Sequence, residues 1–313
     1  MRETQGLAKA TVGKNEWLLR KLAPYLGRVP VADVSAPMLL TVLQEIQGSG
    51  NRETARRLRS YISRVQDYAI ITGRAQHNPA APLQRALITP TVRHHPAIVD
   101  PHELGSLLRQ IDNYSGYPST LAALRISAHL FQRPGEIRAM RWADLDLEAA
   151  RWSMPAGSTK MRRAHEVPLS RQARETIRSM AGITRGEFVF PAYHAWTQPI
   201  SENAVNQALA RMGYKGVMTA HGFRSTASSL LNESGQWSPD IIEQALAHKD
   251  NNAIRAIYNR TTYWNDRVAM MQWWSDYLDG LKAEAGHSGN QKRSHEQASA
   301  RPQNRPQKGP GFS

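Results

Sequence analysis

The chain is 313 residues long, enough for about two domains, and 41% of it is hydrophobic, which excludes a polypeptide that stays unfolded. Lys and Arg number 40 against 26 Asp and Glu, a formal net charge of +14, so a polyanion such as a nucleic-acid backbone is the expected partner, although charge alone also serves solubility. Cysteine is absent, which excludes disulfides, a thiol nucleophile and a cysteine-ligated zinc. No apolar signal peptide opens the chain and no run of about 18 apolar residues occurs, so no membrane contact is expected and the cytoplasm is the expected location.

Residues 1–88 read as a helical domain. Ser35 can cap a helix with Pro37 in its first turn and the apolar run Met38, Leu39, Leu40, Val42, Leu43. A longer helix is expected from about Asn51 to Gly73, with Ala55, Leu58, Ile62, Val65 and Ala69 recurring at three- and four-residue spacing. It carries Arg52, Arg56, Arg57, Arg59 and Arg64 against Glu53 and Asp67, and such an excess favours phosphate contact over a merely solvated face. The stretch from Asn78-Pro79 to His95-Pro96 is proline-rich and aperiodic, with residues 89–96 as a linker.

A second domain is expected over 97–281. Asp100 can cap its first helix, Pro101 takes the first helical position, and Glu103 completes a capping box before Leu104, Leu107 and Leu108. Further helices are expected at about 119–131, 134–141, 170–181, 201–212, 221–234 and 239–248. Arg151–Met154 and His165–Leu169 flank a polar turn and read as a β-hairpin. Met270, Met271, Trp273, Trp274, Tyr277 and Leu278 form an apolar helix, either core or a docking element. Residues 282–313 carry too little apolar surface to fold and are expected to be a disordered basic tail.

Three short segments carry chemistry. Arg133 precedes Pro134 at a helix start, beside free backbone N–H groups that suit a phosphate. His221 and Arg224 stand three apart, so a helix puts a proton-exchanging imidazole and a planar guanidinium fork on one face. Tyr258 follows His248 by ten residues, beyond the polar pair Asn251-Asn252. Taken singly, each has a bland alternative: an arginine at a helix end, a chance H-x-x-R, a tyrosine filling a core.

Together, Arg133 in RPGEI, His221 and Arg224 in HGFR, and His248 in LAH before Tyr258 resemble the signature of the tyrosine recombinases, and in particular the integrases of phage-like elements and genomic islands. The resemblance extends through NRETARRL, HNPA, VPLS and WWSDYLDGL and covers about residues 20–281. It implies a mainly α fold with a small antiparallel β-sheet: a helical core DNA-binding domain, then an α+β catalytic domain. It also matches Lys160, in the hairpin turn, to a basic residue of the family, with Arg162 and Arg163 as neighbouring backbone contacts.

The implied reaction is attack by Tyr258 on a DNA phosphodiester, giving a 3′-phosphotyrosyl bond and a 5′-hydroxyl, reversed when another strand's 5′-hydroxyl attacks. Arg133 and Arg224 would clamp the phosphate oxygens, and His221 would accept the tyrosine proton, since a phenol's pKa is about 10. Lys160 would protonate the leaving oxygen, His248 would bond the phosphate, and Glu136 would orient the basic side chains. Neither metal nor other cofactor is needed. Expected partners are attachment-site duplex DNA, three further copies in a tetramer, and host DNA-bending and directionality factors. The expected role is integration or excision of a prophage or other mobile element. Relatives carry a further N-terminal arm-binding domain for which this chain has no room, so a truncated gene, an alternative start or a compact variant is expected. The alternatives are a catalytically idle DNA-binding remnant, which the complete residue set opposes, and a type IB topoisomerase, which the absence of a large clamp domain opposes.

Overall fold

A computed structural model of the chain describes residues 9–91, 95–157, 163–247 and 263–299, with side chains from 11 to 286 within those ranges. Two hydrophobic cores divide the chain, one within Met1–Arg93 and the other within His94–Ser313.

The first unit contains α1 (Lys9–Leu26), α2 (Ala36–Gly48) and α3 (Arg52–Ile71). Ser35 is the N-cap residue of α2, with an extended backbone and a proline inside the first turn; its side chain makes no capping bond. Leu39, Val42 and Leu43 face inward against Leu58 and Ile62 of α3 and Leu18 and Leu22 of α1. The stripe on α3 departs from the expectation at one position. Val65 is exposed, and the neighbouring Gln66 is buried in its place, donating to the Val31 carbonyl at 3.2 Å. The spacing 55, 58, 62, 66, 69 keeps one face of a helix, which Val65 leaves by about 100°. The Asn-Pro segment docks on the same helix: Asn78 Nδ2 donates to Ser63 Oγ at 2.8 Å and Asp67 Oδ1 at 2.6 Å, while its Oδ1 accepts from Ala80 N at 3.0 Å. Leu83 and Leu87 then complete the core.

The second unit opens with α4 (Pro101–Asp112), where Asp100 accepts from Glu103 N at 2.8 Å and Pro101 occupies the first turn. α5 (Pro118–Leu130) is buried on nearly every side from Ala122 to Leu130, as a central helix must be. α6 (Pro134–Arg138) is shorter than expected, because the chain turns extended at Arg141, which bridges to Phe188 while Trp142 N donates to the Glu187 carbonyl. The hairpin forms from β2 (Arg151–Met154) and β3 (His165–Pro168), antiparallel with Trp152 opposite Val167, and β1 (Leu145–Asp146) adds a third strand beside β2. α7 (Arg171–Ala181) follows, capped by Ser170. β4 (Pro191–Ala192) and β5 (Ala195–Pro199) make a second, two-stranded sheet. Then come α8 (Ala204–Arg211), α9 (Gly222–Glu233), α10 (Pro239–Ala245) and α11 (Trp264–Ser299).

Met270, Met271, Trp274 and Leu278 of α11 are core residues; Trp274 Nε1 donates to the Ala128 carbonyl at 2.9 Å, and Trp273 stacks on Tyr277 nearer the surface. A polar string crosses the same region. His129 Nδ1 lies 3.1 Å from Ser275 Oγ, which donates to Ser170 Oγ at 2.7 Å, linking α5, α11 and α7. Burial pushes His129 down to about 4.

The helix α11 corrects the expected boundary at 281 and the disordered tail over 282–299. Ala285 is buried, and Lys282 binds Asp112 at 2.9 Å and Asp279 at 3.3 Å. Gly105 makes this approach possible, since a Cβ there would run into the Leu281 carbonyl. No helix among the described residues is long and apolar enough to cross a membrane.

Candidate functional site

Arg133 is the N-cap residue of α6: its carbonyl accepts from Glu136 N at 2.8 Å and Ile137 N at 3.0 Å, and Pro134 follows in the first turn. Glu136 folds back over it. One carboxylate oxygen accepts from Arg133 N at 3.2 Å and the other pairs with Arg133 Nη1 at 3.1 Å, the carboxylate being nearly wholly buried. Arg133 Nη2 donates to the Ala247 carbonyl at 3.0 Å.

Arg224 lies in the first turn of α9 and is only 4% exposed. Its Nη1 donates to the Phe131 carbonyl at 2.9 Å and its Nη2 to the Leu246 carbonyl at 2.7 Å. Phe131 can offer that carbonyl because it terminates α5 in a left-handed conformation, φ 42°. Burial, with the Arg133 charge adding to it, pulls Arg224 down to about 10, which leaves the guanidinium charged at neutral pH.

The two arginines therefore converge on one feature, the C-terminal end of α10. Ala245, Leu246 and Ala247 present three consecutive carbonyls there, and they accept from Gln132, Arg224 and Arg133 respectively. A helix C-terminus leaves its last carbonyls without intrahelical partners, so cationic donors satisfy it. Ala247 turns left-handed, φ 50°, where the described chain breaks off before His248. His221 is the residue before α9, three positions from Arg224.

Of the expected site residues, Arg133, Glu136 and Arg224 meet at this one feature, and His221 stands in the turn that leads into α9. Lys160, Arg162, His248 and Tyr258 lie outside the described residues. Arg163 is exposed at the start of β3's approach. In the first unit, Arg52, Arg56 and Arg59 repeat at helical spacing along one side of α3, whereas Arg57 pairs with Glu53 at 2.5 Å and Arg64 lies over the Tyr61 ring at 5.6 Å.

Residues 98–264 match the Phage integrase family, and residues 1–86 match the Phage integrase central domain. The chain belongs to the phage integrase family. It is 37% identical over 262 residues to prophage integrase IntA of Escherichia coli (strain K12), covering 83% of this chain and 63% of that one. Identity to the integrase of Enterobacteria phage P4 is 35% over 272 residues, covering 82% and 62%. The chain thus spans under two thirds of the length of these two relatives. The integrase of Shigella phage Sf6 is 34% identical, with 82% and 67% covered.

The fold is that of a lambda integrase dimer bound to a COC' core site, with TM-score 0.64, 19% identity, 80% of this chain and 92% of that one covered. It is likewise that of the Tn1549 transposon integrase in complex with transposon right end DNA, with TM-score 0.64, 15% identity and 87% and 96% covered. The phage integrase chain is therefore mainly α with small antiparallel sheets, as the tyrosine recombinase resemblance implied.

Two site neighbours carry no signal in the sequence of this family member. Gln132 lies beside Arg133, yet only the fold brings it to the Ala245 carbonyl. His165 reads as a strand residue in HEVPL, but its ring lies in the field of Arg267, Arg133 and Arg224. Burial first, then those cations, push it down to about 4, against a hydrogen bond to the Ala245 backbone that favours the charged form. It is a neutral imidazole at neutral pH. Its buried Nε2 has no hydrogen-bond partner among the described residues.

Proposed function

We propose that this chain is a site-specific DNA recombinase that cuts and rejoins duplex DNA through Tyr258, for integration or excision of a mobile element such as a prophage. The observation that carries the proposal is the convergence of Arg133 and Arg224 on consecutive carbonyls, Ala247 and Leu246, immediately ahead of the segment that bears His248 and Tyr258. Membership of the phage integrase family supports it.

A phosphodiester repels nucleophiles and gathers negative charge on its non-bridging oxygens as attack proceeds. Guanidiniums whose planes are already fixed by carbonyls cost no reorganisation at that moment, and a preorganised donor of this kind is worth about 2–4 kcal/mol. Arg133 and Arg224 would take those oxygens, with His248 as a further donor. The Tyr258 phenol passes its proton to His221 and attacks phosphorus. A 3′-phosphotyrosyl bond forms, the P–O bond to the 5′-oxygen breaks, and Lys160 protonates that oxygen. Attack by a 5′-hydroxyl from another strand reverses these changes and releases tyrosine. Glu136 acts through Arg133, whose Nη1 it binds.

In this proposal the helices of the first unit bind core DNA and the second unit performs the chemistry. Arg52, Arg56, Arg59 and Arg64 meet the backbone, as do Arg162 and Arg163 at the hairpin turn. Arg57 contributes least, being engaged by Glu53. The working form is a tetramer on two duplexes in the cytoplasm, aided by host DNA-bending and directionality factors.

The test is incubation with a nicked suicide substrate carrying the element's own junction sequence, followed by denaturing electrophoresis. A covalent adduct that disappears in Tyr258→Phe, with DNA affinity retained, supports the proposal. Binding without any adduct would make the chain an idle DNA-binding remnant.

A further inference from the structure

The segment that opens the second unit is strapped along α9. Thr219 Oγ1 donates to the Pro96 carbonyl at 3.3 Å and accepts from Gly222 N at 2.9 Å, so one hydroxyl ties the segment to the first turn of α9. Further along, the buried Thr226 Oγ1 donates to the Ile98 carbonyl at 2.7 Å. Gly222 permits this close approach, because a Cβ there would run into the Pro96 carbonyl oxygen and press on Met218 and Ala97. These contacts deliver one side chain to one place. The His95 ring lies against the His221 ring with centroids 4.7 Å apart and planes tilted by 50°.

We infer that His95 is a positioning residue for His221: its ring fixes the orientation of the imidazole that faces the tyrosine proton. The inference rests on the recombinase proposal for the reaction it affects, and on geometry alone for the contact. His221 is the N-cap residue of α9, and its imidazole must keep a set direction to take a proton from a neighbouring group. A proton acceptor must hold its nitrogen within hydrogen-bond reach of the donor, and a misplacement of about 1 Å can cost about 100-fold in rate. The strap holds the backbone at Pro96 and Ile98, next to His95, and the His95 and His221 rings then pack on each other.

Two readouts on the full chain test this. In the first, histidine ring resonances are recorded without DNA. His95→Ala should shift and broaden the His221 ring signals, while His95→Phe, which keeps a ring against the imidazole, should leave them narrow. Unchanged His221 signals in His95→Ala would overturn the positioning role. In the second, adduct formation on the nicked suicide substrate is timed at saturating DNA. His95→Ala should slow it about 10-fold or more with DNA affinity unchanged, and His95→Phe should restore most of the rate. In a His221→Ala background, His95→Ala should add no further loss, since a residue acting through another is silent once that one is gone. A loss that persists there, or that appears as weaker binding, would mean that His95 touches DNA itself. Thr219→Val, which releases Pro96 and leaves His95 intact, should slow the reaction by a smaller factor; no slowing would remove the strap from the account. Absence of any adduct from the wild-type chain would count against the recombinase proposal alone, and the ring resonances would still decide the role of His95.

Discussion

The two units hold their arginines in opposite ways. On α3, Arg52 is exposed, Arg56 and Arg59 are half-buried, and the partners in the group are other side chains of the same helix: Glu53 on Arg57, Ser60 on Arg59 and the Tyr61 ring under Arg64. In the second unit Arg133 and Arg224 are sunk among backbone carbonyls supplied by α5 and by the end of α10. An exposed arginine keeps its rotamer freedom and follows a phosphate wherever the backbone presents one, which suits adaptable binding. A guanidinium pinned by two carbonyls cannot follow anything. It waits at a fixed point, which suits a transition state. At Arg224 burial costs some of its proton affinity, and the nearby charges of Glu136 and Glu243 offset part of that cost.

That contrast can be broken most severely at Arg224. Arg224→Ala should reduce adduct formation by about 100-fold or more, the value of one preorganised donor. It should also lower the urea midpoint of the second unit, since the Phe131 and Leu246 carbonyls are left without their buried donor. Unfolding curves and adduct time courses on the same preparation separate the two effects.

Glu136→Ala sharpens the contrast at a middle level. It removes the back-bond to Arg133 N and the partner of Nη1, so Arg133 should behave like a surface arginine. The expected loss is about 1 kcal/mol of stability, as for a missing cap, with adduct formation slowed about 10-fold. A slowing as large as that of Arg224→Ala would mean that Glu136 takes part in the chemistry directly.

For α3 the expectation is smaller and of another kind. Arg52→Ala, Arg56→Ala and Arg59→Ala combined should weaken DNA binding and flatten the slope of log affinity against log salt, by up to about 0.9 for each phosphate that is no longer neutralised. The rate of adduct formation at saturating DNA should not change. An unchanged slope would leave these arginines as a solvated face.

A milder effect follows from the two depressed histidines. His129 and His165 fall to about 4 in the folded protein, below the ordinary 6.5 of the unfolded chain. The folded state therefore binds fewer protons, so stability is full above about 6.5 and is lost as pH falls toward 4. Denaturation midpoints of the wild type should drop across that window, and His129→Gln should lessen the drop. A flat profile in the wild type would show both rings to be accessible to protons.

How much of this was legible depends on the range over which each feature is determined. Local chemistry was readable: Asp100, Pro101 and Glu103 at the start of α4, Pro134 after Arg133, and the polar turn between the segments that became β2 and β3. Features fixed by distant partners were not. α6 stops early because Arg141 meets Phe188, and Val65 yields the core to Gln66 because Val31 offers a carbonyl. The continuation of α11 was hidden by a polar sequence whose anchors, Ala285 beside Gly105 and Lys282 on Asp112, belong to packing against α4. At the site, the separate motifs around Arg133 and Arg224 were visible. Their common support at Ala245, Leu246 and Ala247 was not, because backbone carbonyls carry no sequence signature. Nor was His165, a strand residue until the fold sets it among cations.

The central claim is that fixed arginines act in the chemistry and free ones in the binding. It is tested most directly by replacing one of each with lysine, which keeps the charge and removes the planar fork. Adduct formation on the suicide substrate is then timed at saturating DNA. Arg224→Lys should slow it about 100-fold with DNA affinity nearly unchanged, whereas Arg56→Lys should leave the saturated rate at the wild-type value. A wild-type rate in Arg224→Lys would contradict the account, because the charge alone would then suffice and the carbonyl-fixed fork would have no part in the reaction.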